Sequence, residues 1–193
     1  MKDLINATGA LIDAIGTEHF SQTLSDALKS IADFDYTVVF GYFGATRPLD
    51  LYDDFPTRQR KIFVEDYQEG PYLLDPFFLA CDNQVSPDLY RIRDLAPDRF
   101  FQGEYFRNYY ARTGLAEEIG YLIEIPSQVT VVVSLMRSKK NFSAKEFRQF
   151  REFWPVVRAA CQSHWEDLVK WFGAKNKNSS DASMHQSVKL AFT

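Results

Sequence analysis

The amino-acid sequence predicts an α+β domain, an α/β/α sandwich built on a central, mostly antiparallel sheet. Residues 36–43 read YTVVFGYF, apolar on both alternating faces and rich in β-branched side chains, the pattern of a strand covered on both sides. Residues 115–126 and 129–137 are two more strand-like runs separated by a turn near Ser127-Gln128, so they pair as a hairpin in the same sheet. Apolar residues at helical spacing stand before and after these strands, which supplies helices for both faces.

In chain order, Leu4, Ile5, Leu11, Ile12 and Ile15 recur at helical spacing, and Gly16 follows where a helix-ending glycine belongs. A second helix is expected over 18–32, with Phe20, Leu24, Leu28 and Ile31 on one face. After the central strand, LDLYDD suggests an edge strand and residues 57–69 a helix. The stretch 67–81, YQEGPYLLDPFFLAC, joins two tyrosines, an Asp75-Pro76 step and a dense apolar run. Aspartate is a preferred N-cap and proline loses no bond at a first helical position, so a short helix is expected from there to about Gln84. The segment LYRIRDL alternates polar and apolar residues without declaring its structure, and Pro97-Asp98 opens an aromatic-rich helix closed by Gly114.

Beyond the hairpin, Ser143 and Glu146 form a capping box that starts a long helix. Its apolar positions include Phe147, Phe150, Trp154, Val157, Cys161, Leu168 and Trp171, and Pro155 is expected to kink it. Residues 1–172 are therefore read as one domain. Residues 173–193 are read as a polar linker followed, at Met184, Val188, Ala191 and Phe192, by the start of a truncated amphipathic helix.

A length of 193 residues suits one sizeable core. The net charge of −4 provides no electrostatic footprint for a phosphate backbone, so DNA is not expected to bind these residues directly. With no signal-peptide core and no run of apolar residues long enough to span a bilayer, a soluble cytoplasmic protein without membrane partners is expected. Cys81 and Cys161 stand far apart without neighbouring thiols, and His19, His164 and His185 are scattered, so neither a disulfide scaffold nor a metal site is predicted. No cofactor motif occurs. Cys81 and His164 lack a third orienting residue, and Glu117 and Glu118 point to opposite faces of a strand and are expected to be solvated, so no catalytic constellation assembles. The 17 Phe and 10 Tyr, many of them amphipathic rings, instead suit a pocket for a partly apolar small molecule.

The runs Tyr67 to Cys81, YRIRDL, FRNYYARTGLAEEIGYLIEIP, VVVSLMR, NFSAKEF and WPVVRAACQSHW resemble the N-terminal autoinducer-binding-like domain of LuxR-type transcriptional regulators, over roughly residues 60–165. The resemblance implies an autoinducer-binding, GAF-like sandwich that senses a small amphipathic ligand, forms a homodimer and controls a C-terminal helix-turn-helix domain not present here. It also implies a place in quorum sensing. Carried over by position, Asp75 would accept the ligand's amide N–H, and Tyr67 or Tyr72 would bind its acyl carbonyl. Tyr90 stands near the family's lactone-covering tryptophan, Gly120 at the structural glycine, and Ser134 at a strand hydroxyl that reaches the ligand. Phe101 and Tyr105, from the aromatic helix, would complete the lining. Two family tryptophans are replaced or absent, with Phe63 the nearest aromatic to one of them, and this argues against an acyl-homoserine lactone while leaving the pocket in place.

Asp75 has two compatible roles, because a carboxylate has acceptor sites for both a helix cap and a ligand. The aromatic cluster from Phe100 to Tyr110 is first of all core packing, as is the tryptophan-bearing stripe of the last helix, part of which would form a dimer seam. Two other functions remain open at this level: a stand-alone interaction domain that titrates a full-length regulator, and a small-molecule enzyme using the same pocket.

Overall fold

In a computed structural model, residues 2–96, 103 and 110–176 are described. Helices α1 (Lys2–Asp13) and α2 (Phe20–Lys29) come first, joined through Gly16, whose φ of 80° lets the chain reverse in a left-handed conformation. Strands β1 (Tyr36–Tyr42) and β2 (Leu49–Asp53) follow as an antiparallel pair with a register shift between Val39 and Phe40. The helix expected over 57–69 is less regular than its sequence suggests. It starts as α3 (Thr57–Arg60), passes into a π-helical stretch, Lys61–Asp66, and is followed by a 3₁₀ turn, Pro71–Leu74. Helix α4 (Pro76–Asp82) then begins at the Asp75-Pro76 step.

The undeclared LYRIRDL segment divides into a short strand β3 (Leu89–Arg91) and a helical turn α5 (Ile92–Leu95). Most of the aromatic helix expected after Pro97 lies outside the described residues, including Phe101 and Tyr105. Its last turn is α6 (Ala111–Thr113), closed by Gly114 at φ 70°. Strands β4 (Glu117–Ile125) and β5 (Val129–Arg137) form the expected hairpin.

The sheet order is β2-β1-β5-β4-β3, with every neighbouring pair antiparallel. Alternation along the strands divides the interior in two. On one face Val39, Ile119, Tyr121, Val131 and Val133 pack against α1, α2 and the C-terminal helices; on the other Val38, Phe40, Tyr42, Leu122, Val132 and Met136 pack against the α3–α5 region. The α/β/α sandwich is therefore the architecture of the chain.

The long C-terminal helix is a finding against expectation. Instead of one kinked rod there are three helices, α7 (Ala144–Glu152), α8 (Trp154–His164) and α9 (Val169–Asn176). Pro155 sits in the first turn of α8, where its missing N–H has no intrahelical partner to lose, so a new helix starts at less cost than a bend. Ser143 accepts from the Glu146 N–H while Glu146 accepts from the Ser143 N–H, the reciprocal capping predicted for α7. The helix α9 reaches Asn176, past the expected linker start at Gly173, and residues 177–193 lie outside the described residues. Among the described residues no helix is long and apolar enough to cross a membrane.

Candidate ligand site

The site starts from the cap of α4. Asp75 has extended backbone angles, φ −70° and ψ 127°, and its Oδ1 accepts from the Phe77 N–H at 2.9 Å. This satisfies one of the N–H groups left over at a helix start. Phe77 in turn lies flat against the sheet at Gly120: a Cβ at that position would come within 2.6 Å of the Phe77 ring. Glycine on β4 is what lets the first turn of α4 approach the sheet, and that approach brings Asp75 over the strands.

Asp75 faces two tyrosines. Its Oδ2 accepts from the Tyr67 hydroxyl at 2.6 Å, and the Tyr42 and Tyr67 hydroxyls are 2.7 Å apart. With Tyr67 donating to the carboxylate, the proton between the tyrosines belongs to Tyr42, giving a relay from Tyr42 through Tyr67 to Asp75. Tyr67 follows the π-helical stretch directly, and Phe63 within that stretch faces the same space. Such π segments re-aim side chains by widening one turn. The Tyr42 hydroxyl is pushed well above its ordinary pKa, first by burial and then by the charge of Asp75.

Glu118, on the sheet side, departs from the solvated position that its sequence suggests. It is 7% exposed and lies in the wall of the same cavity as Ser134, whose hydroxyl on the neighbouring strand favours its charged form. Glu117 departs in the same way on the opposite face, where it is 4% exposed. Both cavity carboxylates are held above the ordinary range, Asp75 to about 6 and Glu118 to about 8. Burial is the main cause in each, and for Glu118 the nearby Asp75 charge adds to it.

Val38, Phe40, Tyr42, Ser134 and Met136 from the sheet, Phe63 and Tyr67 from the α3 side, and Thr113 and Leu115 beside α6 enclose a cavity of about 30 Å³ with Asp75 and Glu118. That is room for one or two groups the size of a water molecule. A larger cavity, about 300 Å³, lies at the other end of α4 between Cys81, Gln84, Val85, Leu122, Gln128 and Thr130.

The cap, the tyrosines and the two acids thus occupy one face of a five-stranded sandwich, and known proteins share that arrangement of layers. The ligand-binding domain of VqsR from Pseudomonas aeruginosa superposes with a TM-score of 0.69 at 25% identity, covering 82% of this chain and 94% of that domain. The chain has the fold of LuxR-type ligand-binding domains. The N-acylhomoserine lactone dependent LuxR family transcription factor CepR2 from Burkholderia cenocepacia superposes with a TM-score of 0.59 at 17% identity, over 86% of this chain and 95% of that one. A curated putative HTH-type transcriptional regulator from Aeromonas salmonicida is 22% identical over 119 residues, 61% of this chain and 60% of that protein. The chain therefore spans less than two thirds of that regulator. No protein-family model matches it.

Within this LuxR-type fold, the residues singled out from sequence fall into three groups. Tyr67, Asp75 and Ser134 line the small cavity. Tyr72 is 1% exposed in the same core, edge-on to Phe78, and Tyr90 lies on the edge strand β3 with its hydroxyl donating to the Ser86 carbonyl; neither is among the residues that line the cavity. Phe101 and Tyr105 lie outside the described residues. Tyr42 and Glu118 line the cavity although the sequence does not mark them as ligand contacts, and with them stand Phe63, the aromatic nearest a missing family tryptophan, and Tyr110 of the aromatic cluster, one or two of whose members are expected in the lining. Tyr42 carries a signal, being a hydroxyl-bearing ring at the end of the apolar run 38–41 of β1. Glu118 carries a weaker one, because its alternation with Gly120 and Leu122 places it on the α4 face.

Proposed function

We propose that this chain is the ligand-sensing, dimerising regulatory domain of a cytoplasmic LuxR-type transcriptional regulator, and that occupancy of the cavity between sheet and α4 is relayed to a helix-turn-helix domain outside this sequence. The supporting observation is the cavity lined by Tyr67, Asp75 and Ser134 within a LuxR-type fold. A ligand buried there would stabilise the folded domain by mass action and bias the dimer in which it sits. At about 30 Å³ the cavity matches a polar head group, so an amphipathic ligand would enter by displacing aromatic side chains such as Tyr67.

The role is binding rather than catalysis. Cys81 packs on the α4 face while His164 stacks on Phe20 on the opposite face, its Nδ1 accepting from the Gly16 N–H, so the two cannot meet as nucleophile and base. Burial also pushes the Cys81 thiol far up, away from the reactive thiolate. Native mass spectrometry of the purified chain tests the proposal. The expected result is a dimer carrying a co-purifying small molecule that Asp75→Asn releases. A ligand-free monomer whose melting temperature no extract shifts would contradict it.

A further inference from the structure

Asp75 and Glu118 line one cavity from different elements, the first from the cap of α4 and the second from β4. Each is 7% exposed, and among the described residues neither forms an ion pair. The contrast lies one residue away. Glu117, 4% exposed, has the Arg91 guanidinium and the Phe142 N–H. Asp75 uses its oxygens on the Tyr67 hydroxyl and the Phe77 N–H, whereas among the described residues the one group that favours a charge on Glu118 is the nearby Ser134 hydroxyl. A carboxylate has two oxygens and about four lone-pair sites, so Glu118 keeps acceptor capacity that faces the cavity.

Burying a carboxylate without a positive partner is costly; Asp75 offsets part of that cost by capping α4, whereas among the described residues no helix start or cation calls for an acid at Glu118. The cavity, about 30 Å³, matches an ammonium head in size. Rings of Phe40, Tyr42 and Tyr67 wall it, and aromatic faces attract cations. We propose that this cavity seats a cationic nitrogen, an ammonium group donating N–H bonds to Glu118 and Asp75 together. The group is either a free small cation or the head of a larger amine. This rests on reading the cavity as a ligand site and adds to that reading the charge of the ligand and a second recognition residue, Glu118.

A cation at this position competes with protons. Among the described residues, the titratable groups facing it are Asp75, Glu118 and the hydroxyls of Tyr42, Tyr67 and Tyr110, with the Cys81 thiol within electrostatic reach of Asp75. Tyr42 and Cys81 stay neutral through the physiological range, so the two carboxyls supply the protons that binding displaces.

Titration calorimetry and thermal melts of the 193-residue chain, using ammonium, methylammonium and n-butylammonium chlorides, provide the test, with n-butanol and sodium chloride as controls. At a pH of about 8, at least one ammonium salt is expected to bind and raise the melting temperature, with buffer-dependent heats reporting proton release. Binding is expected to weaken about tenfold or more in Glu118→Gln and at a pH of about 5, and n-butanol should have no effect. Binding of ammonium or methylammonium identifies a free small cation; binding of n-butylammonium alone identifies the head of a longer amine. Equal affinity in Glu118→Gln and wild type would overturn the proposal, as would absence of binding by every ammonium salt. A neutral co-purifying ligand in that second case would leave the sensor reading standing without the cation. Folding of the variant is itself decisive: with no cation to lose among the described residues, Glu118→Gln should be at least as stable as wild type at the higher pH, and a variant that fails to fold there contradicts the proposal.

Discussion

Glu117 and Glu118 are neighbours on one strand, buried on opposite faces of one sheet, and treated in opposite ways. On the α7 side Glu117 is closed into a network with Arg91 and the Phe142 N–H, and Arg91 also donates to the Phe142 carbonyl and lies 4.5 Å over the Phe147 ring. Nearby, Arg137 ties the Asp33 carbonyl to Glu146 in the cap of α7. Charge on that face holds elements together. On the α4 side Glu118 and Asp75 share a cavity and have hydroxyls and a backbone N–H for partners, with no cation among the described residues. The difference separates acids closed into ion pairs from acids that, among the described residues, have hydroxyl and N–H partners but no cation.

Breaking the satisfied side should have the largest effect. Arg91→Met removes the buried countercharge of Glu117 and leaves it only the half-exposed Arg93 guanidinium at 3.8 Å, and urea unfolding at neutral pH should show a loss of about 3 kcal/mol. Gly120→Ala attacks the other face through geometry: the new methyl group meets the Phe77 ring, and the expected loss is about 1–3 kcal/mol. Because Phe77 sets the height of Asp75 above the sheet, this variant should also weaken any ligand response. An unchanged denaturation midpoint would mean that the ring is free to move. Tyr67→Phe should have the smallest effect, about 1 kcal/mol, since it removes one donor from Asp75 and the acceptor of Tyr42 while keeping the ring. A chemical shift perturbation confined to Tyr42 and the α4 cap would check that the loss is local.

The contrast also shapes the response to pH. Glu146, bonded to Arg137 and Ser143, is lowered to about 2, so its contribution is present above its ordinary range and lost as pH falls toward that value. Glu118 works in the other direction. Its folded pKa, raised from 4.5 to about 8, means that across this window the unfolded chain has released a proton that the folded chain still holds, so stability falls as pH rises. Asp75 adds the same sign between 3.8 and about 6.

Much of the fold is legible in the amino-acid sequence. The β-branched run at 36–43, the hairpin, the Asp75 cap and the Ser143 capping box each rest on local chemistry that tertiary packing does not override. Local rules are ambiguous elsewhere: Pro155 can bend a helix or begin one, and in the fold it stands in the first turn of α8. The π-helical stretch before Tyr67 has no sequence signature and follows from how Phe63 and Val64 reach the core. For Glu117 and Glu118 alternation assigns the correct faces, yet burial depends on what covers each face. Arg91 and α4 come from elsewhere in the chain, so two acids in sequence read as a solvated pair. Tyr67, Asp75 and Ser134 are reached through a family resemblance, whereas Tyr42 and Glu118 emerge only once β1, β4 and α4 are assembled.

The central claim is that Glu118 is buried with no countercharge among the described residues, and its carboxyl titration tests that most directly. Carbon-detected NMR of the side-chain carboxyl, followed from acid to alkaline pH in the full chain, should give a midpoint displaced upward toward about 8. A midpoint at or below the ordinary glutamate range, about 4.3, would show that a partner already compensates the charge and would contradict the account.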